Sequence, residues 1–327
     1  LLSTIQLKDG TDEETFLSTP SGIPPAIPDS GFLVPLAEPL PTPGENGLMC
    51  DVDDPSDNAT AISTVDEFLT IGTGGNYYLD HDIDLSALTD WAGITLEDAL
   101  TLDGQGHTIS GLACTLFNGK GPVTLRNLVI ETAEAGANGC SVLLSYDGTL
   151  DSSTVIIDNC TIRGTFLPDW RSSAWNGAFI GYNTNETSAL TNCAFIGTID
   201  TSTATTNANY VGGIAGRFSG LIENCYVEAF AETGEYALAT NLGGIVGQAT
   251  QDVRRCTAVL SGEWWGSSTG GIAGFCSGIV SDCCGILAED MQLNTICRLN
   301  ASLPSGRNTI RERVPSEISK WYRAQML

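Results

Sequence analysis

Along the middle of the chain, apolar positions come in short runs whose alternation is broken once per run. In LTNCAF the apolar Leu190, Cys193 and Phe195 are spaced three and then two apart. A strand alone spaces inward residues by two, so a corner lies between Leu190 and Cys193. The same pattern recurs as IIDNCTIRG around Cys160, ALTNCAFIG around Cys193, LIENCYVEA around Cys225, VRRCTAVLS around Cys256 and VSDCCGILA around Cys283, with cysteines 33, 32, 31 and 27 residues apart. An earlier copy, TLRNLVIET, puts Leu128 in the cysteine slot 32 residues before Cys160. Between copies a second element repeats in phase: GAFIG from Gly177, GGIAG from Gly212, GGIVG from Gly243 and GGIAG from Gly270. A repeat of about 30 residues built from short β-branched strands and Gly or Asn corners predicts a solenoid with one coil per repeat.

Asn127, Asn159, Asn192 and Asn224 occupy the corner. Asn tolerates the left-handed conformation and can bond its amide to the equivalent Asn one coil away. Arg255 and Asp282 take the position later, so the amide ladder is expected to end there. Equivalent residues of successive coils stack at about 4.8 Å, which predicts a buried column of reduced cysteines acting as small hydrophobes, with bridges between adjacent coils as the alternative. Cys50, Cys114, Cys140, Cys276, Cys284 and Cys297 fall off this ladder and are the better disulfide candidates in an oxidising compartment.

Composition changes at both flanks. Residues 1–49 hold eight of the 13 prolines, which forbids helix and central strand and predicts an extended arm. From Met291 onward six basic and two acidic residues reverse the charge, and Pro315, Ser316 and Glu317 could open a capping helix with Ile318, Trp321, Tyr322 and Met326 on one face. The expected organisation is a Pro-rich arm at 1–49, a parallel β-helix at 50–290 and a basic cap at 291–327. The fold class is all-β, a right-handed parallel β-helix of about six or seven coils.

Charge narrows the partners. With 14 Lys and Arg against 39 Asp and Glu, the formal charge of −25 opposes phosphate backbones and anionic lipid surfaces, so neither nucleic-acid binding nor peripheral membrane binding is expected. No apolar run approaches the ~18 residues needed to span a bilayer, so membrane insertion is not expected. The N-terminal residues lack a basic stretch followed by an apolar one, leaving a removed secretion signal and an excerpt of a longer protein equally open.

The stretch YYLDHDIDLSALTDWAGITLEDALTLDGQGHTISGL, residues 77–112, resembles the leading segment of bacterial GLUG-motif proteins, where Y-x-L-x-x-DIDLS runs into D-G-x-G-HTISGL. The GGIAG, GGIVG and N-C-x-V elements are similar to the GLUG repeat itself, and the resemblance covers residues 60–290. It implies a right-handed parallel β-helix of a secreted or surface-attached bacterial protein, often adhesin-like. The family also includes the non-catalytic β-helical region of immunoglobulin-A-cleaving metalloproteases. WAGIT at Trp91 stands where the family has W-x-P-I-G, and no H-E-x-x-H zinc motif occurs in the chain, so no protease activity is carried over.

Candidate chemistry is sparse. Asp51, Asp53, Asp54 and Asp57 gather hard oxygen ligands suited to calcium, the one cofactor the sequence suggests, although the spacing is not that of an EF-hand. Asp80, Asp82 and Asp84 alternate along a strand, and Asp84 is expected to cap the following turn. Trp170, Trp175, Tyr210, Tyr236, Trp264 and Trp265 precede the Gly-Gly elements and would form an aromatic ridge able to stack on sugar rings, beside Asp169, Asp200, Glu235 and Glu263. Elimination chemistry would need a base such as Lys120, Arg126, Arg163, Arg171, Arg217, Arg254 or Arg255, and none has a partner motif. No catalytic residue is assigned and no enzyme is expected. The expected protein is a non-catalytic extracellular or cell-surface module, adhesin-like or a spacer, that binds glycan or a surface protein. The alternative is a fibre subunit that docks copies of itself through residues 1–49, and a polysaccharide lyase or hydrolase ranks below both.

Overall fold

The structure is a computed structural model. It describes residues 59–119, 121–134, 136–145, 153–168, 174–202, 210–233, 239–262, 264, 266–287 and 309–312. All of these belong to the unit Leu36–Leu327. The Pro-rich arm at 1–49 lies outside the described residues, as does the basic cap except for a strand at Thr309–Glu312 that pairs in parallel with Cys284–Leu287.

The chain winds as a parallel β-solenoid whose faces are sheets of nine, ten and seven strands, with a fourth sheet of four strands. One coil runs through Val155–Asp158 in the nine-stranded sheet, Thr161–Pro168 in the ten-stranded sheet, Trp175–Gly177 in the four-stranded sheet and Ile180–Asn183 in the seven-stranded sheet. The sequence repeat is therefore one full turn, and equivalent residues pair across coils. Leu102, Leu125, Ile157, Leu190, Ile222, Val253 and Val280 form one such column, each at most 2% exposed. Burying each of these side chains contributes about 1.5–3 kcal/mol. The N-terminal end of the described coils carries a short helix, Val65–Phe68, closed by a Thr64–Glu67 capping box, and Phe68 lies 6.2 Å from Phe117 between ring centroids.

The expectation of about six or seven coils is corrected. The coil that includes a strand of the four-stranded sheet occurs four times, and simpler coils precede it. The short, degenerate early repeats hide those coils in the sequence, because they lack the Gly-Gly element that marks the later ones.

The corner behaves as the spacing predicted. Asn127, Asn159, Asn192 and Asn224 have φ between 51° and 55°. Asn159 Nδ2 donates to Asn127 Oδ1 at 2.8 Å and Asn224 Nδ2 to Asn192 Oδ1 at 2.7 Å, while Asn192 Nδ2 turns instead to Asp158 Oδ1 at 2.7 Å. Arg255 and Asp282 keep the left-handed backbone, with φ of 51° and 55°, after the amide ladder has ended. Next to each corner the column Leu128, Cys160, Cys193, Cys225, Cys256 and Cys283 is buried. Cys193 Sγ donates to the Thr191 carbonyl at 3.2 Å and the Ile157 carbonyl at 3.5 Å. Cys160, Cys193, Cys225 and Cys256 are free thiols, as are the off-ladder Cys114 and Cys276. Burial pushes Cys160 up to about 12 and holds Cys193 and Cys256 well above the usual thiol range.

The Gly-Gly elements explain how the fourth sheet is seated. A Cβ added to Gly216 would stand 2.5 Å from the Asn176 nitrogen, one on Gly247 2.8 Å from the Val211 nitrogen, and one on Gly274 2.6 Å from the Leu242 nitrogen. From the opposite layer, Cβ atoms on Gly177, Gly212 and Gly243 would collide with the backbone of Ala215, with that of Ala215 and Val246, and with that of Val246 and Gly274. The backbones of the seven- and four-stranded sheets thus approach through two facing columns of glycine.

Two outcomes are expected. Gly216→Ala should lower the urea midpoint by the equivalent of about 1–3 kcal/mol, because the obstacle is rigid backbone. Gly285→Ala, whose added Cβ meets nothing nearer than Gly271 Cα at 3.4 Å, should leave the midpoint unchanged or raise it. The stacked thiols Cys160, Cys193, Cys225 and Cys256 should resist a water-soluble thiol reagent until the protein unfolds, read by mass spectrometry. Stability should also decline as pH rises from about 9 toward 12, since the unfolded chain ionises Cys160, Cys193 and Cys256 first.

Candidate functional site

The glycine seam sets what lies at its edge. In the seven-stranded sheet the core-facing residues are three apart, Ile180 and Asn183, Ala215 and Phe218, Val246 and Ala249, Ala273 and Cys276. The two residues between them lie off the core. One is the seam glycine, and the other forms the column Tyr182, Arg217, Gln248 and Phe275, paired coil to coil. In the four-stranded sheet Val211 and Leu242 join the main core, so strand alternation turns their neighbours the other way. Those neighbours form the column Trp175, Tyr210, Asn241 and Ser268.

The two columns meet in an aromatic and cationic cluster. The Trp175 and Tyr182 rings are 4.5 Å apart between centroids with a 42° tilt. The Arg217 Cζ lies 5.5 Å from the Tyr182 centroid on its other contact, a cation–π distance. Tyr182 is 7% exposed, whereas Trp175, Tyr210, Arg217 and Gln248 are half-buried. Three polar atoms here are buried without a hydrogen-bond partner: Trp175 Nε1, Arg217 Nε and Gln248 Oε1. Such atoms are uncommon in folded proteins and each calls for an explanation. Arg163, Arg254 and Arg255 pair with Glu131, Asp252 and Glu223. Arg217 makes no ion pair with any carboxylate among the described residues, although the chain has a net charge of −25.

Of the residues expected to form an aromatic ridge, the structure brings Trp175 and Tyr210 into adjacent register. Trp264 is corrected: it is 8% exposed, belongs to the main core and donates its indole N–H to the Ser261 carbonyl at 3.0 Å, so its ring faces protein. Trp170, Tyr236 and Trp265 lie outside the described residues, and so do the calcium candidates Asp51, Asp53, Asp54 and Asp57. Asp84 caps its turn as expected, accepting from the Ser86 N–H at 2.9 Å, while Asp82 accepts from the Thr108 N–H at 2.8 Å. The Ser86 hydroxyl and then its N–H hold Asp84, and the Thr108 N–H with the His107 ring holds Asp82, below the usual aspartate range. No group of three or more His, Cys, Asp or Glu able to hold a metal occurs among the described residues.

Sequence reasoning passed over Tyr182 and Gln248 and noted Arg217 only as a candidate elimination base. Their signal is positional: each directly follows the closing glycine of a repeat element, in FIGY, IAGR and IVGQ. A position that changes from Tyr to Arg to Gln to Phe inside an otherwise constant frame is one the coil geometry leaves free.

No family model matches the sequence, and no curated protein matches it. Among solved structures it is similar to a Bacteroides ovatus protein named "putative immunoglobulin A1 protease", with a TM-score of 0.53 and 21% identity over 81% of this chain and 87% of that one. At that identity the likeness speaks to the fold, a parallel β-solenoid. No helix among the described residues is long and apolar enough to cross a membrane.

The different settings of the two indoles predict different losses. Trp264→Ala should destabilise by about 3–5 kcal/mol in denaturant titration, because it empties a core site. Trp175→Ala, half-buried at the seam edge, should lose clearly less.

Proposed function

We propose that this chain is a non-catalytic, extracellular surface module that binds glycan along the seam between its seven- and four-stranded sheets. The observation that carries this reading is the pair of half-buried aromatic rings, Trp175 and Tyr210, in adjacent register along the seam. Sugars present apolar C–H faces to such rings, so a ligand of that class suits the pair. The resemblance to GLUG-motif proteins supports an adhesin-like bacterial surface protein, wound right-handed as parallel crossovers nearly always are. The solved neighbour bears a protease name, while this chain has no H-E-x-x-H motif and the two described seam columns contain no carboxylate. Aromatic stacking is a recognition chemistry rather than a catalytic one.

The test is a broad glycan array probed with the whole chain and with Tyr210→Ala. Binding to at least one glycan class, reduced tenfold or more by the substitution while the circular dichroism spectrum is retained, is the expected outcome. An array with no binding, or binding that ignores the substitution, would overturn the assignment.

A further inference from the structure

The ten-stranded sheet carries a second apolar cluster that the core of the solenoid does not account for. Ala194, Tyr226, Val259 and Ile286 are at most 8% exposed and stand apart from the main core, with Ile196 and Cys284 packed against them. Strand alternation puts them on the outer face, because Phe195, Val227, Ala258 and Leu287 of the same strands point into the core. Ala194 pairs with Tyr226 and Val259 with Ile286, so the patch crosses four neighbouring strands. A tyrosine on the open face of a sheet keeps part of its ring in water, so an exposure of 2% requires a cover. The described elements do not supply one. Three sheets form the faces of the solenoid, the fourth lies on the seven-stranded sheet, and the helical turns at Val65–Phe68 and Ile71–Thr73 belong to the first coils.

The width of the cover can be read from one contrast. Phe230 points outward from the same strand as Tyr226, four residues on, yet is 48% exposed. Four residues of strand span about 13 Å, and a helix with its side chains is about 10–12 Å wide. A single helix laid across the strands therefore hides Tyr226 and leaves Phe230 out. Thr309–Glu312 is the last strand of this sheet, so residues 313–327 leave from the edge next to the cluster. From that strand to the one holding Ala194 is four strand spacings, about 19 Å. The helix predicted over residues 316–327 is about 18 Å long, with Ile318, Trp321, Tyr322 and Met326 on one face. Charge agrees with this match: residues 313–327 hold three basic residues and one acidic, while outward positions beside the patch carry Asp200, Glu228 and Glu232. Residues 1–49, with seven acidic residues and one basic, suit that face poorly.

We propose that residues 313–327 dock as one helix across the outer face of the ten-stranded sheet, seated on Ala194, Ile196, Tyr226, Val259 and Ile286. This contact lies on a different sheet from the glycine seam and does not depend on glycan binding.

Two measurements on the full chain test it. Phe230→p-benzoylphenylalanine puts a photoreactive ring at the rim of the patch, and it should crosslink to residues 313–327 of the same copy. Mixing unlabelled with isotope-labelled protein before irradiation separates the two origins by mass spectrometry. Crosslinks only to residues 1–49, only to residues 288–308 or only to a second copy would give the face to another occupant and overturn the proposal, as would the absence of any crosslink. Ile318→Asp combined with Trp321→Asp leaves every solenoid residue in place. It should raise the rate at which tetranitromethane nitrates Tyr226 by about tenfold or more, with the circular dichroism spectrum retained. Nitration as slow as in wild type would overturn the contact, and the crosslink decides alone should the double variant misfold.

Discussion

Everything distinctive about this solenoid depends on two backbone layers coming closer than side chains allow. The columns Gly216, Gly247, Gly274 and Gly177, Gly212, Gly243 face each other, and a single Cβ on any of them would strike backbone. Sheets ordinarily pack about 10 Å apart because side chains fill the space between them. Removing those side chains lets a strand of the four-stranded sheet lie directly on the seven-stranded one. The chain therefore gains a layer in each of four coils without widening the core.

That close approach has a consequence at the edge of the layers, where the glycine columns end and full-sized side chains resume. Trp175, Tyr182 and Arg217 must then pack sideways against one another, and their polar atoms are shut off from water before they find partners. The coil itself does not need an arginine there, since the equivalent position holds tyrosine, glutamine and phenylalanine in other coils. The repeat supplies a rigid frame and leaves one position per turn free to vary, in keeping with function residing in sites placed on a fold.

The corner and the cysteine column secure the frame by a different route. A left-handed residue at each turn costs a β-branched side chain dearly but costs Asn little, and two of the asparagines recover part of it through amide bonds to the coil below. Inside, cysteine is small enough to stack at every coil, and its thiol still donates weakly to a carbonyl two residues back or one coil away. Where Arg255 takes the corner, its ion pair with Glu223 at 2.8 Å substitutes for the amide bond.

Local chemistry repeated in phase was legible in the sequence: the solenoid, the asparagine corner, the buried thiols and the Asp84 cap all follow from residue type and spacing. Periodicity identifies which residues are equivalent, because equivalence along the chain becomes stacking in space. It does not say how two strands within one coil face each other, so the folding-back of the four-stranded sheet onto the seven-stranded one was not foreseen. The fate of the tryptophans turned on that layer: Trp264 went into the core, and Trp175 came to the seam beside Tyr182 and Arg217, seven and 42 residues further along the chain. The number of coils was also hidden, because early repeats without the Gly-Gly element carry the winding but not its signature. Spacing along the chain thus determined the architecture, and only tertiary packing decided which side chains met at the seam, since contact across two layers depends on how closely their backbones approach.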